Sequence, residues 1–337
     1  MNRVTVFDVA AEAGVSVATV DRVLNNRGGV RPATIERVQG AVGRLGFRRD
    51  AFAAGLATRK VERYAFVIPE GPNSFMNALR ASVLTLAGSM VEQRVDVTVI
   101  GYRAFDDRSL VGALVALDPE HCHGVALVGI DSPAVQREID RLAGSGVRVV
   151  TLVSDVTPSR RQAFVGADNK AAGRVAAALI GRMTRASGRV AMVVGHMTLH
   201  DHVERRLGFE QVLRRDYPHL SLAGVIEGFD DSDRTRPLLA ALLGEHRDLV
   251  ALYSAGAGNR GVVAALRDSD ARPVTIAHEL TPHAREALLD GIFTVVLDQD
   301  RAQAAAEALG ALRALVRGET ARPPHVRTRI FLRENLP

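Results

Sequence analysis

From Tyr64 onward, short apolar runs alternate with amphipathic stretches of helical period, and this alternation limits the fold more than any other feature of the chain. YAFVIP, VDVTVIG and GVALVGI are followed by helical patterns at 75–93, 107–117 and 133–144, and then comes VRVVTLV. After Ala163 the order is helix 169–183, RVAMVVG, helix 202–215, SLAGVIEGF, helix 234–243, LVALYS, helix 258–267, VTIA, helix 282–290, FTVVL and helix 301–317. Strands alternating with helices predict parallel sheets covered on both faces. About a dozen strands exceed one ordinary sheet, so two doubly wound lobes are expected. Such sheets bind ligands at the carboxyl ends of their strands, which places one ligand between two facing lobes. No Gly-x-Ser-x-Gly, phosphate-binding loop, His-Glu-x-x-His or cysteine cluster accompanies the pattern, and nothing in it points to an enzyme or a cofactor.

The first 63 residues differ. They hold 11 of the 43 basic residues and 6 of the 38 acids, so the chain's whole net charge of +5 lies there. A small basic module on a neutral body is the usual electrostatic footprint of nucleic-acid binding. Val6, Val9, Ala10 and Ala13 share one helical face behind Thr5, a suitable N-cap. Gly14 ends that helix and Ser16 caps a second, which turns Val20, Val23 and Leu24 inward. A third helix opens at Pro32, presents Ile35, Val38, Val42 and Leu45 to the same core, and closes at Gly46. Two helices joined by a tight glycine turn read as helix-turn-helix. Its second helix enters the major groove, here with Val17, Ala18, Thr19, Asp21 and Arg22. The Arg22 fork suits guanine, and Val17 and Ala18 suit a thymine methyl.

The single cysteine, Cys122, excludes an internal disulfide and a four-cysteine zinc site, and reads as a buried small hydrophobe. The N-terminus lacks a secretory pattern, and no run of about 18 apolar residues could span a membrane, so a cytoplasmic, nucleoid-associated location is expected.

TVFDVAAEAGVSVATVDRVLN resembles the opening of the lac repressor family of bacterial transcription regulators, and VGADNKAAGRVAAALI and ERRLGFEQVL resemble that family's effector domain, which is similar to periplasmic sugar-binding proteins. The resemblance implies a small all-α helix-turn-helix domain at 1–49, a hinge helix or linker at 50–61, and a two-lobed α/β effector and dimerisation domain at 62–337. It also implies that helix 301–317 returns to the first lobe. Its DNA-facing set falls here on Thr5, Ser16, Val17, Ala18, Thr19, Asp21, Arg22 and Asn25. Leu56 stands where the family wedges a leucine into the minor groove. The partners implied are a pseudo-palindromic operator, a sugar-like effector and a second copy of the chain, with the chain acting as a repressor.

Asp21 departs from the family serine and sits near the DNA backbone, either turned outward or reading cytosine N4. Gly55 weakens the short hinge helix. Asn73, Phe75, Asp155, Arg205, Glu279 and Gln299 are the expected ligand set, with Met76 replacing a second aromatic. Asp168 suits a helix cap. Gly256-Ala257 and Ala277-His278-Glu279 replace the relatives' Asn-Asp and Gly-Phe-Asp. Glu279 then substitutes for a shorter acid, and Asp298-Gln299 are expected to supply lost polarity. The ligand expected is a sugar, cyclitol or sugar acid. On this reading Arg205→Ala weakens ligand binding and leaves folding nearly intact.

Overall fold

The computed structural model describes residues 4–24, 28–47, 61–256, 258–321 and 326–337. The chain divides into two compact units, Met1–Lys60 and Val61–Pro337.

The N-terminal unit holds α1 (Val6–Ala13), α2 (Val17–Leu24) and α3 (Pro32–Leu45). Thr5 and Asp8 form a reciprocal capping box at the start of α1, and Gly14 takes the left-handed conformation that ends it. The Ser16 hydroxyl accepts the Thr19 N–H, so the second helix restarts two residues after the turn. Pro32 opens α3 and Gly46, also left-handed, closes it. Val9, Ala10, Ala13, Val20, Val23, Val38 and Ala41 form the small core; Ala41 is not among the expected residues, and Val6, Leu24, Ile35, Val42 and Leu45 pack against that core only partly buried. An Arg44–Glu12 ion pair of 3.0 Å ties α3 to α1 at the surface.

The larger unit contains two sheets. The first lobe is five parallel strands in the order β2-β1-β3-β4-β5: β1 (Glu62–Glu70), β2 (Val95–Arg103), β3 (Gly124–Leu127), β4 (Arg148–Leu152) and β5 (Ala163–Val165). Its helices are α4 (Ser74–Met90), α5 (Asp107–Val115) and α6 (Pro133–Gly144). In β1, Tyr64, Phe66 and Ile68 face one layer and Ala65 and Val67 the other. A strand covered on both faces needs apolar residues at every position, which is why ERYAFVIPE has an unbroken apolar centre.

The second lobe contains α7 (Asn169–Met183), β6 (Gly188–Val194), α8 (His200–Asp216), β7 (Leu220–Glu227), α9 (Ser232–Glu245) and β8 (Leu249–Ser254). It continues with α10 (Asn259–Arg267), β9 (Val274–His278), α11 (Pro282–Leu289) and β10 (Val295–Gln299). β11 (Thr328–Phe331) pairs antiparallel with β10 at the edge, and the sheet order is β11-β10-β9-β8-β6-β7. The last helix, α12 (Arg301–Val316), returns to the first lobe, as expected. Its Ala304, Ala305, Ala308, Leu309 and Leu312 pack with Phe66, Ala126 and Leu152. Small residues let this helix lie close to β3, where a Cβ on Gly124 would already be 3.0 Å from Leu312.

α7 and α8 cross at two glycines. A Cβ on Gly173 would lie 2.0 Å from the Arg205 carbonyl, and one on Gly208 would lie 2.0 Å from the Lys170 carbonyl. Backbone cannot yield as a flexible side chain does, so a methyl there forces the helices apart. Gly208→Ala is expected to cost about 1–3 kcal/mol, the range for overpacking a core, and to shift α8 with its Arg205. Urea unfolding measures the loss; an unchanged midpoint contradicts the close crossing.

Candidate functional site

A cavity of about 620 Å³ opens between the two lobes, walled by the segments that follow strand carboxyl ends. From the first lobe come Asn73 and Phe75 after β1, Phe105 after β2, and Val153 and Ser154 after β4. From the second come Asp201 and Arg205 on α8, Phe229 and Asp230 after β7, Gly256 after β8, and Glu279 after β9. Backbone strain collects here. Among the described residues, six non-glycine residues have positive φ, and all but Arg94 line this cavity: Phe105 (60°), Val153 (65°), Phe229 (53°), Asp230 (57°) and Glu279 (71°). Such conformations cost about 1–3 kcal/mol each and persist where the surrounding structure uses them to aim side chains.

Arg205 is 2% exposed and fixed on two sides. Its Nε donates to Asn169 Oδ1 at 2.9 Å and its Nη1 to the Ala255 carbonyl at 2.7 Å. Its Nη2 lies 3.6 Å from Glu279 Oε1 and 3.9 Å from Asp201 Oδ2, too far for direct hydrogen bonds. Gly256, at φ 114°, lets the guanidinium lie against the backbone, since a Cβ there would be 2.8 Å from Nη1. Asp201 and Glu279 are each 4% exposed, and Asp201 Oδ1, Glu279 Oε2 and Ser154 Oγ are buried without a hydrogen-bond partner. Buried polar atoms are nearly always paired, so three in one cavity mark places where a ligand bonds.

Burial pushes the Glu279 carboxyl up to about 8, against the opposing pull of Arg205. Burial also raises half-buried Asp230 to about 6, against the hydrogen bond from Asn73. His202 accepts the Gly195 N–H at Nδ1 (2.7 Å) and is pushed down to about 4 by burial. His283 falls to about 4 for the same reason. Both imidazoles are therefore neutral at pH 7.

The lobes also touch across the opening. Asn73 Oδ1 caps α4 through the Met76 N–H at 2.9 Å, and its Nδ2 donates to Asp230 Oδ2 of the other lobe at 2.8 Å. Arg260 reaches Ser74 Oγ at 3.3 Å. The Phe105 ring meets Phe229 edge-on at 5.4 Å. Asp230→Ala is expected to remove the polar latch and weaken ligand retention by about threefold to tenfold, the effect of one hydrogen bond of about 1 kcal/mol. A raised ligand off-rate in stopped flow is the readout; an unchanged off-rate contradicts the latch.

Asn73, Phe75, Arg205 and Glu279 are thus brought together, and two other expected ligand residues are not. Asp155 turns away from the cavity. Its carboxylate takes Arg161 Nε and Nη2, Thr151 Oγ1 and the Val156 N–H, because the left-handed Val153 aims Ser154, not Asp155, inward. Gln299 lies behind Glu279 and donates to its Oε1 at 3.1 Å, so it positions the acid without lining the cavity. Asp298 supplies no cavity polarity either, being taken by the Leu280 N–H and Arg329. Asp168 caps α7 through the Ala171 N–H. Cys122 is buried and donates to the Gly124 carbonyl. Sequence reasoning missed Asp201, Asp230 and Ser154. Only Asp201 left a signal, standing one helical turn before Arg205.

In the N-terminal unit, Ala18, Asp21 and Arg22 are exposed on α2, and Ser16 is exposed just before it. Val17 and Thr19 are half-buried; Val17 packs against the small core, and Thr19 bonds Ser16. Thr5 is exposed and committed to its capping box. Asn25 and Leu56 lie outside the described residues, as do residues 50–60 of the expected 50–61 hinge, Gly55 among them, and Ala257.

Comparison with known proteins follows the same division. The periplasmic binding protein domain family matches residues 64–320, and the family of bacterial regulatory proteins named lacI matches residues 5–50. The chain belongs to the periplasmic binding protein domain family and carries a lacI-type module at its N-terminus. It is 27% identical over 271 residues to the HTH-type transcriptional regulator GalS of Salmonella typhimurium, covering 79% of this chain and 76% of that one. It is 42% identical to catabolite control protein A of Priestia megaterium, over 84 residues and a quarter of each chain. A solute-binding protein from Burkholderia graminis, solved in complex with D-arabinose, superposes with a TM-score of 0.75 at 20% identity over 86% of this chain and 98% of its own. GanP, a glucose-galactose binding protein from Geobacillus stearothermophilus, superposes with 0.73 at 20% identity over 82% and 99%. These likenesses establish the two-lobed α/β fold of the larger unit. No helix among the described residues is long and apolar enough to cross a membrane.

Proposed function

We propose that this chain is a DNA-binding transcription regulator, acting as a repressor, whose operator affinity is set by a small polyhydroxylated ligand held between its lobes. One observation carries the reading: a helix-turn-helix unit with Ala18, Asp21 and Arg22 exposed along α2 stands in the same chain as a cavity with buried, unpartnered polar atoms. The names of its relatives agree, one being a helix-turn-helix regulator and others sugar-binding proteins. A hydroxyl-rich ligand suits the cavity, since hydroxyls donate to carboxylates and accept from Arg205. A sugar acid suits it poorly, because carboxylates outnumber cations around it. We assign DNA binding to 1–49, a linker to 50–61 and ligand binding with dimerisation to 62–337, the working unit being a homodimer matched to a pseudo-palindrome. The cell compartment that fits is the cytoplasm, where the DNA lies.

Selection from a random duplex pool tests the reading. Enrichment of a pseudo-palindrome is expected; a pool that stays random contradicts it. On the enriched duplex, Arg22→Ala is expected to lose a base contact of about 1–3 kcal/mol and to relax preference at one position of each half-site. An unchanged preference removes Arg22 from base reading.

A further inference from the structure

We infer that the ligand of this cavity carries a positive charge as well as hydroxyls, as an amino sugar or aminocyclitol does, and that its ammonium group sits against Asp201 and Glu279. The inference rests on the polyol reading above and narrows it. Charge balance is the first observation. Asp201, Glu279 and half-buried Asp230 face the cavity, and among the described residues Arg205 is the one buried cation lining it. The rim does not correct this imbalance. Exposed Arg103 and Arg260 are matched there by Glu70, Asp231 and Asp233. His202 and His283 line the wall as neutral imidazoles and add no positive charge.

Hydrogen bonding is the second, independent observation. Asp201 Oδ1 and Glu279 Oε2 are buried and unpartnered, on carboxylates whose other oxygens lie 3.9 and 3.6 Å from Arg205 Nη2. Both belong to residues more than nine-tenths buried that line the cavity. A hydroxyl brings one donor and no charge. An ammonium brings three donors and one compensating charge, which matches two orphaned carboxylate oxygens and an excess of negative charge together. In the free protein Glu279 meets part of this imbalance by holding its proton to about pH 8. A bound ammonium does so by ion pairing, while the remaining hydroxyls meet Ser154 Oγ and Arg205.

Calorimetry on the full chain with matched sets tests this: glucosamine, glucose and glucuronate; galactosamine, galactose and galacturonate; and an aminocyclitol with myo-inositol. At least one amine is expected to bind about tenfold or more tighter than its hydroxyl parent, with the uronates silent. Asp201→Asn and Glu279→Gln, both checked for native circular dichroism, are expected to bring that ratio toward one. If parent sugars bind as tightly as the amines, or uronates bind best, the inference is overturned and the polyol cavity stands. If no member of any set binds, the inference and the polyol reading are both overturned.

Discussion

Replacing Arg205 with alanine is expected to abolish ligand binding and also to lower the stability of the larger unit by about 3–5 kcal/mol, the usual cost of removing one partner from a buried ionic cluster. The guanidinium is bonded to Asn169 and Ala255, and it is the positive charge within 4 Å of both Asp201 and Glu279. Without it buried Asp201 and Glu279 lose their neighbouring cation, and Asn169 Oδ1 loses its donor. The sequence alone suggested a side chain that could be removed without cost to folding; its near-complete burial corrects that. Arg205→Lys is expected to restore part of the stability and little of the binding, because an ammonium cannot bond both Asn169 and Ala255 in the plane a guanidinium does. Urea unfolding and calorimetry separate the two effects. A variant with native stability contradicts the cluster, and one with native ligand affinity removes Arg205 from the site.

Glu279→Gln is expected to change the dependence of stability on pH more than any other single replacement in the cavity. The folded-state value of about 8 stands above the ordinary 4.5, the causes being burial first, then the pull of Arg205, repulsion by Asp298, the Gln299 hydrogen bond and the pull of Arg301. Between these values the native chain holds a proton that the unfolded chain has released. The contribution is therefore fully present below about pH 4.5 and is lost as pH rises toward 8, at up to about 1.4 kcal/mol per pH unit. Asp230, raised from 3.8 to about 6, adds a smaller decline in the same direction at lower pH. Glutamine does not titrate, so the variant loses the Glu279 part and keeps those of Asp230 and of His202 and His283, whose lowered values cost stability as pH falls below 6.5; it should be more stable than the parent at pH 8 while binding ligand less well. Melting temperatures from pH 5 to 9 test this; parallel curves for parent and variant contradict a buried, protonated Glu279.

The two-lobed fold was legible because the central strands of a doubly wound sheet are covered twice, which writes unbroken apolar runs such as YAFVIP into the sequence. The return of α12 to the first lobe came from the family resemblance, since an alanine-rich helix shows no preference for one sheet over another. The cavity was legible only in part. Arg205 stood out through its place three residues before Gly208, the glycine that lets α7 and α8 cross. Asp155 misled because following a strand is not enough: the left-handed turn at Val153 decides which of the next two residues points inward. Ser154 was missed for the same reason. Asp230 was hidden in GFDDSD, where three acids look alike and only the backbone at Phe229 and Asp230 selects one. Asp201 lay in HDHVERR, a run whose charge reads as a solvated surface until the helix is seen to be buried on that side. Backbone strain of this kind depends on the whole lobe and leaves no local trace.

The claim that ligand and DNA are coupled in one chain has a direct test. Fluorescence anisotropy of the full chain on its selected duplex, at about 50 and 200 mM salt, gives the affinity and its electrostatic slope. Each sugar or amine that calorimetry shows to bind the cavity is then added. The account predicts a salt-dependent dissociation constant that at least one such ligand shifts by fivefold or more, about 1 kcal/mol of coupling, and no shift in Arg205→Ala. A ligand that fills the cavity of the parent chain and leaves its DNA affinity unchanged at both salt concentrations would contradict it.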